Sequence, residues 1–403
     1  MKKQLLDGNA AAAEAIRASN VEVVAMYPIT PQSPLAEKLS LLISKGEMNS
    51  TCTCVESEHS AISYVIGAQL TGVRSTTATS SVGLALMHEV LGVAAGCHVP
   101  IVMPVVNRAL VSPWSLWCDH QDTMCERDTG WMQIYAENAQ EIYDLILCAY
   151  RVAEHRDVCL PMMVCMDGFY VSHTLQTVIT ENDDEVSAFV GRYQPTNLVL
   201  DNNNPMFINN LTSPDEYTEM RYQQKVSFDN AKEVMKDVFD EFNKKFGREY
   251  SLTEAYCCND AEAVLVCLGS ACGTIKHMIQ VMRNEGHKVG LLKIVSYRPF
   301  PAEEVKIKLR GITKIGIIDR SSGLGGNFGP LGLDVTQAVN AERNVNFVNF
   351  ITGLGGRDVS EDTIRKMFMT LLNNNAENEQ NWIDVHDNAL DIRERNNEQE
   401  AYE

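Results

Sequence analysis

The 403-residue sequence predicts an α/β protein of two parallel-sheet domains joined by a partly helical connector. Three observations carry this prediction. Short β-branched runs alternate with helical patterns from residue 9 to about 167, the signature of a parallel sheet covered on both faces. That rhythm breaks between 168 and about 250, where Asp201-Asn202-Asn203-Asn204-Pro205 precedes a long charged helical pattern, and it resumes at Ala263. A chain of this length also exceeds what one hydrophobic core ordinarily supports.

Taken in order, 9–19 reads as a helix and 21–26 as a strand. A second helix, 34–44, has Pro31 and Pro34 at its start, where missing amide donors cost nothing. After a strand at 51–55, helix 57–71 begins beside Glu56 and Glu58, a placement the helix dipole favours. Strand 74–79, helix 83–94, strand 99–106, helix 139–153 and strand 160–166 complete the first domain. The connector carries one long helix, 215–246, expected to pack on a neighbour. Strands 263–267, 288–294 and 314–318 then alternate with helices 271–284 and 302–309. The expected units are 1–170, 171–257, 258–372 and a polar acidic tail, 373–403, either disordered or an arm lying on a partner.

Composition narrows the class. Apolar residues make up 45% and charged residues 22%, enough to fold without staples. A formal charge of −19 argues against nucleic-acid and anionic-membrane partners, both of which need clustered Lys and Arg. The segment Met1-Lys2-Lys3-Gln4 builds no signal-peptide apolar stretch, and no run of about 18 apolar residues occurs, so the expectation is a soluble cytoplasmic protein. Most of the twelve cysteines, such as Cys148, Cys159, Cys165 and Cys267, fall in apolar runs and read as small core residues in a reducing compartment. Neither Cys52-Thr53-Cys54 nor Cys257-Cys258 has the spacing of zinc or iron–sulfur loops, so no metal site is expected in this chain.

Candidate chemistry lies at the strand ends of the first domain, where open α/β sheets place ligands. Thr30 stands between two prolines after a strand; its hydroxyl suits a small anion, or it caps the next helix. Glu58 opens an apolar helix, where a carboxylate is either partly buried and able to share a proton with a basic heterocycle or a surface group complementing the dipole, and Glu56 competes for the role. Arg108, beside Asn107, offers a fork that matches a carboxylate or pairs with Asp119 or Asp122. The irregular stretch from Trp114 to Asp128 shapes a pocket or a subunit contact. Gly323-Leu324-Gly325-Gly326, expected to follow a strand and open a helix, offers an anion site or a tight turn; Gly353 to Asp358 has the same ambiguity.

Several motifs resemble the α subunit of the 2-oxoacid:ferredoxin oxidoreductase family, over about residues 8 to 370. They are Tyr27-Pro28-Ile29-Thr30-Pro31, Val55 to Ala61, Thr77 to Ser81 with Gly83 to Glu89, Asn107 to Leu110, Arg127 to Trp131, Tyr297 to Pro301 and Gly353 to Val359. The resemblance implies a pyrimidine-binding domain of a thiamine enzyme followed by a transketolase C-terminal-like domain. It implies that Glu58 hydrogen-bonds the aminopyrimidine of thiamine diphosphate and promotes the tautomer that takes the thiazolium proton. Pro28, Ile29, Ser80 and Ser81 would join Glu58 around the cofactor, while Thr30, Arg108, Asn107 and Trp114 would meet the substrate.

The same resemblance implies a β subunit holding the diphosphate and magnesium (Mg2+), and γ and ferredoxin-like δ subunits with iron–sulfur (4Fe-4S) clusters. Coenzyme A would take the acyl group and ferredoxin or a similar carrier the electrons, in a dimer of hetero-oligomers. Pyruvate is the first substrate expectation. The sequence departs from pyruvate-using relatives where Ser112-Pro113 is followed by Trp114-Ser115-Leu116-Trp117-Cys118, which leaves room for an aromatic or branched 2-oxoacid such as phenylglyoxylate or 2-oxoisovalerate. A non-redox transferase of transketolase type is the alternative class, separable by iron and acid-labile sulfide content.

Overall fold

The computed structural model describes residues 1–111, 113–195, 200–339, 345–373 and 380–386. In the first sheet Thr51–Cys54, Val23–Met26 and Ser75–Thr76 run side by side in parallel. A single parallel bridge, Thr79 to Val105, carries the order on to Val102–Asn107, Met162–Asp167 and Met132–Ala136. Every residue of the last three strands is buried, as strands with helices on both faces must be. The chain leaves Val23–Met26 for Thr51–Cys54 on one side and then crosses back to Ser75–Thr76 on the other. The carboxyl ends of Val23–Met26 and Ser75–Thr76 therefore flank a topological switch point, where an open sheet leaves a crevice.

The second sheet runs Gln380–Trp382, Asn346–Ile351, Lys314–Asp319, Ala263–Cys267, Val289–Ile294, Thr253–Tyr256, parallel except at the last pair. The two sheets share one chain unevenly, since Ser296–Arg298 pairs antiparallel with Met132–Ala136 and closes the first sheet. Tyr297, fully buried, stacks edge-on against Tyr135 at 6.1 Å across that pairing.

Several elements differ from the sequence expectation. Lys2–Leu6 forms a two-stranded ribbon with Gln176–Thr180. The long helix, Pro214–Phe246, turns its second half inward on its own chain: Ala231, Met235, Phe239 and Phe242 are buried in one core with Ile142, Leu145 and Ala149 of helix Ala139–Ala153. Each such Phe contributes roughly 1.5–3 kcal/mol by leaving water. Gly323 to Gly326 does not open a helix; the helix begins at Pro330, and Asp319 already fills its anion-attracting end by accepting from the Leu331 and Gly332 amides at 2.9 Å. Of the polar tail, 373 and 380–386 are described, and Gln380–Trp382 joins the chain's own sheet; the rest of that expectation lies outside the described residues. Cys148, Cys159, Cys165 and Cys267 are buried, and no helix of the described residues is long and apolar enough to cross a membrane.

Candidate functional site

Strand order 51–54, 23–26, 75–76, 102–107 brings four consecutive carboxyl ends to one edge, and each delivers one predicted site segment. Glu58 follows the first. Ser57 caps helix Glu58–Leu70 by accepting from the Ser60 amide at 3.1 Å, which fixes Glu58 in the first turn. Glu58 is only 6% exposed and has no hydrogen bond or ion pair among the described residues. It lies against helix Ser81–Gly96 at Gly83, where no side chain stands in the way: a Cβ there would stand 2.5 Å from both Glu58 Oε1 and Thr79 Oγ1. The surface role falls to Glu56, which is exposed, accepts from Ser60 Oγ at 2.7 Å, and is lowered in pKa by that bond.

Thr30 is not a helix cap. Helix Ser33–Ser44 starts three residues later behind Gln32, with Pro34 in its first turn, so only Pro34 and not Pro31 fills the tolerated position. Thr30 and Pro28 are exposed, Ile29 is half-buried, and the Ile29 carbonyl ties the turn by accepting from the Gln32 amide at 2.7 Å. Arg108 meets Thr30, though through the backbone: Arg108 Nη1 donates to the Thr30 carbonyl at 2.7 Å. The guanidinium, 5% exposed, makes no ion pair with Asp119 or Asp122; burial lowers its pKa, with Asp122 and Glu58 opposing.

Asp122 is instead the organiser of the edge. Its Oδ2 accepts the amides of Ser81 and Arg108 at 3.0 Å each, and its Oδ1 accepts Asn107 Nδ2 and the Thr123 amide at 2.8 Å. One carboxylate thus clips the loops after two neighbouring strands. Burial pushes Asp122 up to about 7 against those donated bonds. Ser81 accepts a left-handed backbone, φ +48°, to reach it, and its Oγ donates to the Ala109 carbonyl at 2.5 Å. The sequence offered Asp122 only as an ion-pair partner, because a clip between loops 15 and 41 residues distant in sequence has no local signature.

Trp114 does not join this cluster: it is 76% exposed on its loop, while Trp117 packs on Phe169 with ring centroids 4.6 Å apart. Around Glu58 and Arg108 the edge holds buried polar atoms without partners among the described residues: Thr77 Oγ1, Thr79 Oγ1, Ser80 Oγ, Asn107 Oδ1 and Arg108 Nε. Unpaired buried groups each cost about 1–3 kcal/mol unless a ligand satisfies them. An unpaired carboxylate beside hydroxyls and a guanidinium fits a heterocycle with ring nitrogens and an amino group, and a small anion next to it. The set contains no cluster of acidic or thiolate ligands, so it does not fit a divalent ion.

A second cluster lies where the two sheets meet. His120 Nε2 and Asp167 Oδ1 are 2.6 Å apart, and Asp167 Oδ2 takes Arg320 Nη1 at 2.6 Å and the Ser270 amide at 2.9 Å. Burial alone would raise Asp167, yet Arg320 and His120 hold it well below the usual carboxylate range. Cys118, His120 and Asp167 place ligand-type atoms within 4.8 Å of one another, but Arg320 already supplies the positive charge there. The Trp131 in the Arg127 to Trp131 motif is core: its Nε1 donates to the Leu91 carbonyl at 2.9 Å.

Residues 14–240 match the family described as pyruvate flavodoxin/ferredoxin oxidoreductase, thiamine diphosphate-binding, and 261–364 match pyruvate:ferredoxin oxidoreductase core domain II. The chain is 46% identical over 364 residues to the pyruvate synthase subunit PorA of Methanocaldococcus jannaschii, covering 90% of this chain and 93% of that one. It is 43% identical over 369 residues to the ketoisovalerate oxidoreductase subunit VorA of Pyrococcus abyssi, covering 90% and 92%. Among solved structures, a 2-oxoglutarate:ferredoxin oxidoreductase from Magnetococcus marinus superposes with a TM-score of 0.69 at 19% identity, covering 91% of this chain and 65% of that one. A split-gene transketolase superposes with a TM-score of 0.56 at 10% identity, covering 92% and 99%. These last two share the fold.

Proposed function

The chain belongs to the 2-oxoacid:ferredoxin oxidoreductase family as an α subunit of a multi-subunit enzyme, and on that premise we propose how its sheet edge works and on what. The observation that carries the proposal is the buried, unpartnered Glu58 surrounded by unpaired Thr77, Thr79, Ser80, Asn107 and Arg108 atoms. Glu58 would hold the aminopyrimidine of thiamine diphosphate through its carboxylate, with Ser80 and Ser81 after a neighbouring strand of the same sheet edge and Pro28 and Ile29 walling the crevice. When bound, that cofactor supplies the nucleophilic carbon and electron sink that let a 2-oxoacid lose carbon dioxide. Glu58 would hold and move a proton at a carboxylate oxygen, and it packs where Gly83 leaves room for it on helix Ser81–Gly96.

The spare donors of Arg108, with Asn107 and the exposed Thr30 hydroxyl, hold the substrate carboxylate and orient its keto carbon. Fixing Arg108 to the Thr30 carbonyl leaves Nε and the remaining donors as a pre-set grip. A β subunit completes the site with the diphosphate and Mg2+; γ and ferredoxin-like δ subunits carry the 4Fe-4S clusters; coenzyme A takes the acyl group, and ferredoxin or a similar carrier the electrons. The assembly is a dimer of hetero-oligomers in the cytoplasm.

Pyruvate is the proposed substrate, supported by PorA relatives at 41–46% identity. A branched or aromatic 2-oxoacid is the second reading, favoured by the VorA relative at 43%. Coenzyme A-dependent reduction of a viologen dye by the purified complex, run with pyruvate, 2-oxoisovalerate, phenylglyoxylate and indolepyruvate, tests both. Pyruvate should give the highest kcat/KM. Activity with none of the four would overturn the proposal.

A further inference from the structure

The glycine-rich turn at 353–357 and Arg320 belong to the second sheet, yet both fasten a segment of the first. The Gly356 amide donates to the Cys118 carbonyl at 2.7 Å, and the Gly355 amide to Asp119 Oδ2 at 3.1 Å. The His120 amide donates to the Arg320 carbonyl at 2.7 Å, while the Arg320 guanidinium reaches Asp167, which holds the His120 ring. Three consecutive residues, Cys118 to His120, are therefore tied to the second sheet on every side. Two residues on stands Asp122, the clip on Ser81, Asn107 and Arg108. Glycine is required in the turn: Gly353 and Gly356 adopt φ of +68° and +81°, and a Cβ on Gly356 would overlap Trp117 Cβ.

We propose that Arg320, His120 and the 353–357 turn are positioning residues for the substrate-carboxylate grip, acting through the Cys118–His120 segment to set Asp122 and, with it, Asn107 and Arg108. None of the three touches the Glu58 end of the edge, where the cofactor ring is assigned. Asp122 also accepts the Ser81 amide, so loosening the tether should weaken the hold on the 2-oxoacid carboxylate, which Asp122 sets through both Asn107 and Arg108, more than it disturbs the Glu58 end. The inference rests on the proposed role of Arg108 and adds that the second domain governs it.

The test uses the assembled complex and measures KM for the 2-oxoacid, kcat and thiamine diphosphate affinity. His120→Ala should raise KM about tenfold, the scale of one lost hydrogen bond in a buried network, with kcat and cofactor affinity changed less than about threefold. His120→Gln, whose amide reaches the ring-nitrogen position facing Asp167, should bring KM back to within about threefold. Asp119→Asn keeps the shape but, since Asp119 accepts from both the Gly355 and the Gln121 amides, must set its NH2 against one of these donors in the tether, and should raise KM about threefold without opening a cavity. An unchanged KM in His120→Ala, or no recovery in His120→Gln, overturns the proposal. Should His120→Ala fail to assemble, an unchanged KM in Asp119→Asn overturns it alone. If Arg108→Gln also leaves KM unchanged, the grip itself is wrong; if Arg108→Gln raises KM and the tether variants do not, only the tether is wrong.

Discussion

Gly83→Ala probes the packing of Glu58 without touching its chemistry. The added Cβ would lie 2.5 Å from Glu58 Oε1 and Thr79 Oγ1 and 2.8 Å from Glu58 Cγ, so reaching an ordinary contact of 3.4 Å displaces the carboxylate by about 0.9 Å. Stability falls by at most about 3 kcal/mol: overpacking costs about 1–3 kcal/mol, and replacing glycine inside helix Ser81–Gly96 returns up to about 1 kcal/mol. Catalysis changes much more, because a misplacement of about 1 Å costs on the order of a hundredfold. Dye reduction and thiamine diphosphate titration of the assembled complex, beside an unfolding curve, separate the two effects. Gly92→Ala on the same helix meets nothing within 4 Å and is the control, expected to be neutral or slightly more stable. A Gly83→Ala complex with wild-type turnover and cofactor affinity would refute the placement of Glu58 as the working carboxylate.

Two further predictions concern buried charge. Arg74 and Glu154 form a bidentate pair with closest contact 2.6 Å, side chains 2% and 9% exposed, so Arg74→Met should cost about 3–5 kcal/mol in urea unfolding by leaving Glu154 unpaired; a loss under about 1 kcal/mol would contradict it. Asp122, raised to about 7 in the folded protein from an unfolded value of about 3.9, retains a proton that the unfolded chain gives up, so its contribution favours folding below about pH 4 and declines as pH rises toward 7. Asp122→Asn removes that decline, and the stability of the variant relative to wild type should rise between pH 5 and pH 7; parallel curves would refute the titration of Asp122 in this range.

The sequence made the strands of the first sheet legible where β-branched runs stood between helices, as at Val21 to Met26 and Val99 to Val106, because burial on both faces demands continuous apolar runs. Met132–Ala136 escaped notice since it follows an irregular loop and contains one β-branched residue. Ser296–Arg298 escaped because its partner strand is more than 150 residues away, and nothing in a Ser-Tyr-Arg triplet announces an antiparallel crossing between sheets. At the site, residue types at strand ends brought out Thr30, Glu58 and Arg108, and resemblance chose among their roles. Their partners were not legible. Arg108 bonds a carbonyl, which every residue possesses, and Asp122 gathers backbone amides, which no side-chain pattern records. The charged turn at 353–358 likewise read as anion site or tight turn, and only its contacts with Cys118 and Asp119 give it a task.

Glu58→Gln in the assembled complex tests the central claim most directly, since it preserves size and packing while removing the carboxylate. Turnover of pyruvate with coenzyme A should fall at least about a hundredfold, the usual scale for a proton-transfer group, whereas Glu56→Gln should stay within a few-fold of wild type. A Glu58→Gln complex that assembles, binds thiamine diphosphate and turns over at a rate near wild type would contradict the account.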